Sequence, residues 1–284
     1  MQLDRVLRYS AFTSAAAGTS GGNPAGVVLD ADDLDDGQRQ EIAAAVGYSE
    51  TAFVERPGAD GARRVRYFSP QAEVDFCGHA TVAAAVALAD AGVGGPLAFV
   101  INAGRVDVST AAGPEGNSAT LTSVATRTRP ADPAELAAAL AALHWTPADL
   151  DPRYPPHVAY AGNDHLVLAV RERATLAALN YDYPALAALM DERGWTTVHL
   201  VWAQTPTSFA ARDPFPPGGV VEDPATGAAA AAFGGYLREL GLVPLPARVT
   251  IDQGVDMGRP SRLLVDIAAD DPRVRVTGLA RPID

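Results

Sequence analysis

Residues 77–91 read CGHATVAAAVALADA, and residues 221–237 read VEDPATGAAAAAFGGYL. Each stretch opens on a turn of small and polar residues and continues as an alanine-rich helix with almost no charge. A helix that is apolar all round must be covered on every side. Strand patterns flank both. They are predicted at 3–12, 25–29, 51–55, 64–68, 97–102, 106–110 and 119–124 around the first helix. Around the second they fall at 166–170, 197–202, 249–252, 262–267 and 274–277. Shorter helices are predicted at 38–46, with Asp32 as cap and Gly47 as stop, and at 174–179 and 184–193. Asp132 caps one more, with Pro133 at its first position. The stretch 127–156, with six prolines, reads as a linker.

The pattern restarts after that stretch. Asn23 leads the first half and Asn163 the second, and the helix-opening turns at Cys77 and Asp223 follow at similar distances. An internal duplication is one reading, and a coincidence of small-residue motifs is the other. Duplication predicts two α+β lobes facing each other, each with one buried helix among strands. The expected division is 1–125 and 126–269, with about 270–284 returning to the first lobe.

The 284 residues carry 22 basic and 34 acidic side chains, a net charge of −12. Nucleic acid and anionic membrane are therefore not expected partners, since both need a basic face. All 22 basic residues are arginine, which excludes lysine Schiff-base chemistry and a P-loop lysine. Cys77 is the only cysteine, which suits a reducing cytoplasm. Arg5 and Arg8 precede Ser, Thr and Gly rather than an apolar core, unlike a secretory signal. The uncharged run Tyr9–Leu29 is too rich in Gly, Ser and Pro to span a bilayer. The five histidines are scattered with no HxH or HExxH spacing, so no metal is expected.

The two helix openings are the places for chemistry. A helix N-terminus presents backbone N–H groups and a positive dipole end. Two such ends facing one cleft would hold a carboxylate or an enolate-like charge, with Gly78 and Gly227 letting backbone approach the ligand. Glu50, in a turn before an apolar strand, would suit a general base acting on a carbon-bound proton. His79 in the first turn of a buried helix would stay neutral and donate a hydrogen bond. Cys77 could be a thiolate favoured by the helix end. On the residues alone each also has a plainer reading: a surface glutamate, a core histidine, a small buried cysteine, and Asp223 as a helix cap.

Five strings carry a resemblance: GGNPAGVVLDA (21–31), GYSETAFV (47–54), YFSPQAEVDFCGHATVAAAVAL (67–88), VEDPATGAAAAAFGGYL (221–237) and DQGVDMGRPSRLLVDI (252–267). Together they resemble the PhzF-like phenazine-biosynthesis family, whose fold is that of diaminopimelate epimerase. The resemblance implies an α+β protein of two pseudo-symmetric lobes, each a curled, mainly antiparallel sheet around a central helix, with its active site between the lobes; a cofactor-independent isomerase; and a homodimer. In the epimerase relatives two cysteines form a base–acid pair; Cys77 sits where the first would be and Asp223 at or near the second. The family's catalytic glutamate corresponds to Glu50, its substrate-contacting histidine to His79 and its aspartate to Asp223. Asn23, Cys77, Gly78, Thr226, Gly227 and Ala228 complete the expected substrate-binding set for a small carboxylate. Ala228 stands where the family commonly has serine. Two alternatives accompany this reading: an amino-acid or hydroxy-acid epimerase using Cys77 and Asp223, and a non-catalytic small-molecule binding protein.

Overall fold

A computed structural model describes residues 3–14 and 20–284; residues 15–19 of the uncharged run Tyr9–Leu29 lie outside the described residues. The chain divides into two compact units, Met1–Thr122 with Thr277–Asp284, and Ser123–Val276. The division falls slightly earlier than 125/126, and the return slightly later than 270. Backbone pairing explains both shifts. Ser123 N–H donates to the Val274 carbonyl at 2.9 Å and Thr126 N–H to the Pro272 carbonyl at 2.9 Å, so these two segments stay together in the second unit.

The first unit runs β1 (Leu7–Thr13), β2 (Asn23–Leu29), α1 (Asp36–Val46), β3 (Thr51–Pro57), β4 (Arg63–Phe68), β5 (Glu73–Val74), α2 (Gly78–Asp90), β6 (Pro96–Ile101), β7 (Gly104–Gly113) and β8 (Gly116–Thr122). β1 pairs antiparallel with β2, β2 parallel with β3, β3 antiparallel with β4, β4 parallel with β6, and β6–β8 form an antiparallel meander. Central strands are buried on both faces, which is why 25–29 reads as an unbroken apolar run. Val28, Phe53 and Phe68 pack under α1 with Ile42 and Ala43. On the opposite parity, Tyr67 reaches α2, where its hydroxyl bonds Thr81 at 2.6 Å. From His79 to Leu88 every residue of α2 is buried.

The second unit runs β9 (Arg127–Pro130), α3 (Pro133–Ala142), β10 (His157–Tyr160), β11 (Asp164–Val170), α4 (Arg173–Ala177), α5 (Tyr183–Arg193), β12 (Trp195–Thr205), β13 (Ser208–Pro214), β14 (Glu222–Asp223), α6 (Gly227–Glu239), β15 (Ala247–Gln253), β16 (Ser261–Ile267) and the start of β17 (Val274–Pro282). Beyond Thr277, β17 belongs to the first unit and pairs with β1. The pairing sequence repeats that of the first unit. β10 is antiparallel to β11, β11 parallel to β12, β12 antiparallel to β13, β13 parallel to β15, and β15 antiparallel to β16. The short strands β5 and β14 stand at the same point of each repeat, pairing with β4 and β13 just before the central helix.

Two expectations are corrected. The stretch 127–156 is no linker: β9 pairs with β10, and Ala139, Leu140, Leu143 and Leu150 enter the core with α5. Its prolines mark element ends. Asp35, not Asp32, caps α1, accepting from Gln38 N–H at 2.8 Å, because Asp32 lies in a preceding 3₁₀ turn and accepts from Arg56 N–H. Asp213–Gly219 begins with the end of β13, holds one 3₁₀ turn and leads to β14; Asp213 is fully buried. Among the described residues no helix is long and apolar enough to cross a membrane.

The central helices fit only because their residues are small. A Cβ on Gly235 would overlap the Thr126 side chain, and one on Gly234 would lie 2.8 Å from Val265. Gly235→Ala gains about 1 kcal/mol of helix propensity but overpacks, at about 1–3 kcal/mol. A lower urea midpoint is expected; an unchanged or higher one would show that α6 can shift.

His165 is fully buried beside Thr197, with Nδ1 2.8 Å from the threonine hydroxyl and Nε2 unpartnered among the described residues. Burial, then the neighbouring His199, push its pKa down to about 3, against about 6.5 for an unperturbed imidazole. Between these values the unfolded chain holds a proton that the folded chain does not. Stability is therefore complete above about pH 6.5 and falls as pH drops, by up to about 1.4 kcal/mol per pH unit from this site. Urea melts of wild type and His165→Gln at pH 7 and pH 5 should show a shallower acid loss in the variant. Equal slopes would refute the assignment.

Candidate active site

In the first unit, three segments deliver side chains to one point. Gly47 ends α1 in the left-handed conformation (φ 71°), turning the chain so that Glu50 sits at the foot of β3. Gly26 N–H donates to the Glu50 carbonyl at 3.2 Å, and a Cβ on Gly26 would lie 2.7 Å from the Thr51 hydroxyl. The glycine of the NPAG segment is thus required for β2 to approach β3 here. β5 then leads into α2, whose N-cap is Cys77 and whose first turn holds Gly78 and His79. Tyr67 donates to the Thr81 hydroxyl, which donates to the Cys77 carbonyl at 2.6 Å, so the opening turn of α2 is fixed from below.

Around His79 the groups are close. Glu50 Oε2 lies 3.4 Å from His79 Nε2, with side-chain exposures of 15% and 7%. The Ser49 hydroxyl lies 3.3 Å from the same nitrogen, and Cys77 Sγ 3.3 Å from Nδ1. Burial lowers the His79 pKa, outweighing the opposing pull of Glu50 and of a hydrogen bond to the Pro24 carbonyl. The imidazole is therefore neutral at pH 7, as its place in the sequence suggests. Asn23, buried beside Pro24, opens β2, the strand that supplies that carbonyl. The expected residues Glu50, Cys77, Gly78, His79 and Asn23 thus come from segments that meet.

The second unit builds an analogous opening with different chemistry. Thr226, not Asp223, is the N-cap of α6. Asp223 lies three residues earlier, nine-tenths buried, and accepts from the Thr226 hydroxyl at 2.6 Å. Its role as helix cap is therefore corrected. Gln253, fully buried at the end of β15, ties the loop down. Its side-chain N–H groups donate to the Asp223 carbonyl at 2.8 Å and the Thr226 hydroxyl at 3.0 Å, and its Oε1 accepts from Thr226 N–H at 3.1 Å. Ala228 is half-buried at the second position of the helix.

The repeated pairing fixes which residues correspond. Phe68 pairs with Glu73, and Pro214 with Glu222. Each glutamate is held by an arginine two positions before that partner: Arg66 to Glu73 at 2.6 Å and Arg212 to Glu222 at 2.6 Å. Counting from these pairs, Cys77–Gly78–His79 matches Thr226–Gly227–Ala228. The partner position of Cys77 is Thr226, and Asp223 matches Val74.

Sequence reading missed three groups. Ser49 and Gln253 sat inside quoted strings without a role. His199 and Asp213, both fully buried, are hydrogen-bonded, Nδ1 to Oδ1, at 2.7 Å. The signal for Gln253 was the glycine after it: Gly254 is left-handed (φ 73°), and a Cβ there would lie 2.8 Å from the Pro224 carbonyl.

The model of the PhzC-PhzF family, described as phenazine biosynthesis-like protein, matches residues 9–283. The chain belongs to this family. An uncharacterized isomerase of Deinococcus radiodurans is 35% identical over 96% of this chain and 89% of its own length. A trans-2,3-dihydro-3-hydroxyanthranilate isomerase of Pseudomonas aeruginosa is 32% identical over 90% of this chain and 88% of its own. The crystal structure of a Bacillus anthracis PhzF-family protein superposes with a TM-score of 0.86 at 25% identity, covering 98% of this chain and 96% of that one. The expected two-lobed α+β fold is therefore the family's own, and this PhzF-family protein is an isomerase.

Replacing Gln253 by leucine strands the Thr226 N–H and the Asp223 carbonyl, at about 1–3 kcal/mol each when buried. Gln253→Leu should lower the urea midpoint clearly. A midpoint within error of wild type would show that the loop stands without it.

Proposed function

We propose that this PhzF-family isomerase moves a proton between two carbons of a small carboxylate-bearing substrate, with Glu50 as the proton carrier and no cofactor. The observation that carries the reading is the Glu50–His79 pair: a carboxylate little exposed to water, 3.4 Å from an imidazole that burial keeps neutral. A carboxylate can take a carbon-bound proton only where charge left behind is stabilised. Neutral imidazole serves as a hydrogen-bond donor to that charge without competing for the proton.

The first-turn amides of α2, at Gly78 and His79, are the proposed holders of developing negative charge. Cys77 makes no side-chain cap to them, so they are not claimed by the helix's own N-cap residue. Glu50 then returns the proton to a second carbon of the same delocalised anion. Atoms balance within the substrate, and the double bond moves while the proton changes place. Asp223, with Thr226 and Gly227, is assigned to orienting the substrate's polar end.

The Pseudomonas relative acts, by its name, on trans-2,3-dihydro-3-hydroxyanthranilate. A cyclic amino-carboxylate with an allylic proton is therefore the first substrate class to try. Ala228 offers a methyl group where the family commonly has a hydroxyl. One charge-assisted hydrogen bond of that kind contributes about 1.5–3 kcal/mol, so the preferred substrate is expected to lack the group that serine would bind.

The test is proton exchange in D2O, followed by NMR on a panel of cyclic and acyclic unsaturated carboxylates. Deuterium incorporation or double-bond migration is expected. Glu50→Gln should slow it by roughly 10²–10⁴-fold, the usual contribution of general acid–base catalysis, while substrate still binds. Exchange that survives in Glu50→Gln would remove Glu50 from the reaction.

A further inference from the structure

We infer that Glu50, Cys77 and His79 form a zinc-binding site for a soft divalent cation, and that such a cation shuts off the proton-transfer centre. Among the described residues this is the one group of three histidine, cysteine or acidic side chains whose ligand atoms all lie within 4.8 Å of one another. The metal site rests on geometry alone; only its inhibitory consequence rests on the proposed role of Glu50.

The ligand types suit the ion. Zinc takes thiolate, imidazole and carboxylate, commonly three protein ligands with a fourth position left to water. At bond lengths of roughly 2.0–2.3 Å, a tetrahedral ion needs ligand-to-ligand edges of roughly 3.3–3.6 Å. The Glu50 Oε2 to His79 Nε2 edge is 3.4 Å, and the Cys77 Sγ to His79 Nε2 edge is 3.9 Å. The remaining edge is within 4.8 Å, and Cys77 Sγ now stands nearer Nδ1, at 3.3 Å, so a cation on Nε2 requires the sulfur to swing toward that nitrogen as the carboxylate closes on it. Glu50 is the ligand best able to move, standing in a turn with 15% of its side chain exposed.

Charge balances as well. The helix N-terminus behind Cys77 opposes a bare cation but favours the thiolate. On binding, the thiol proton leaves to solvent as the sulfur–metal bond forms. Thiolate and carboxylate then set two negative charges against the ion's two positive ones. The second unit cannot repeat the site, because Thr226 and Ala228 replace Cys77 and His79 at the matching positions. Once bound, the Glu50 lone pair that would accept a carbon-bound proton is committed to the metal.

The experiment uses the full chain, stripped by chelator and kept reduced, and titrates it with Co²⁺ and then Zn²⁺. One cobalt per chain is expected, with a thiolate-to-cobalt charge-transfer band that zinc abolishes by displacement. Cys77→Ala should remove the band. Glu50→Gln and His79→Asn should each weaken binding at least tenfold. Circular dichroism checks each variant; if the α2 variants unfold, Glu50→Gln, at the more exposed ligand, decides alone. A wild-type chain without the thiolate band, or cobalt affinity unchanged in Glu50→Gln, overturns the site. Proton exchange is read in the same samples. Zinc bound at the site with exchange undiminished keeps the metal site and sinks Glu50 as proton carrier. Exchange lost in Glu50→Gln without any metal binding does the reverse.

Discussion

Burying a helix on all its faces is the constraint from which the rest of this molecule follows. α2 and α6 carry no charge until their last turns, so neither can meet water along its length. A single flat sheet covers one face only, and each unit therefore curls its strands around the helix. Close wrapping leaves room for alanine and glycine and little else, as the contacts at Gly234 and Gly235 show. The strands must in turn be apolar toward the helix, and outer helices then cover their other face, with α1 over Phe53 and Phe68 and α3 to α5 over Leu166, Leu168 and Leu200.

The same constraint decides where polar chemistry can sit. A helix interior satisfies its own backbone groups, but the first turn cannot. The opening turn is the one part of a fully wrapped helix that needs partners from outside, so hydrogen bonds and ionisable groups collect there. In the first unit the Tyr67–Thr81–Cys77 chain holds the turn, and His79, Glu50 and Ser49 gather beyond it. In the second, Gln253 does the holding and Asp223 is the acidic group beside it. The repeated pairing gives two equivalent openings, and the frame of three residues, Cys-Gly-His against Thr-Gly-Ala, lines them with different side chains. The arginine–glutamate pairs on β4–β5 and β13–β14 remained alike because they only anchor the short strands.

Much of this was legible in the sequence, for a physical reason. A helix with no charge until its last turn, a left-handed glycine at Gly47 and alternating strands are local signals, and each carries its meaning within a few residues. The resemblance then attached roles to Glu50, His79 and Asp223 that their local settings left open. What stayed hidden was non-local. Which aspartate caps α1 depended on where the 3₁₀ turn ended within a run of acidic residues. The prolines of 127–156 looked like a linker because proline marks element boundaries and linkers alike. Gln253 lies 27 residues from the Thr226 amide that it satisfies, and no pattern within β15 announces that partner. The His199–Asp213 contact is formed across paired strands whose register the sequence does not specify.

The glutamate proposed as proton carrier faces opposing demands. Beside a protonated histidine it would be held ionised too firmly to take the proton from carbon. Beside nothing polar it would not ionise at all. Burial removes the charge from His79 while leaving its hydrogen-bonding capacity, and Ser49 and the Pro24 carbonyl hold the ring in place. The carboxylate keeps one route to the outside through its residual exposure. Neutral imidazole, thiol and carboxylate gathered this closely are also good ligands, so the features that would make Glu50 a reversible base leave it open to capture by a cation. Avoiding that would require replacing Cys77, a residue that the proposed proton transfer does not use.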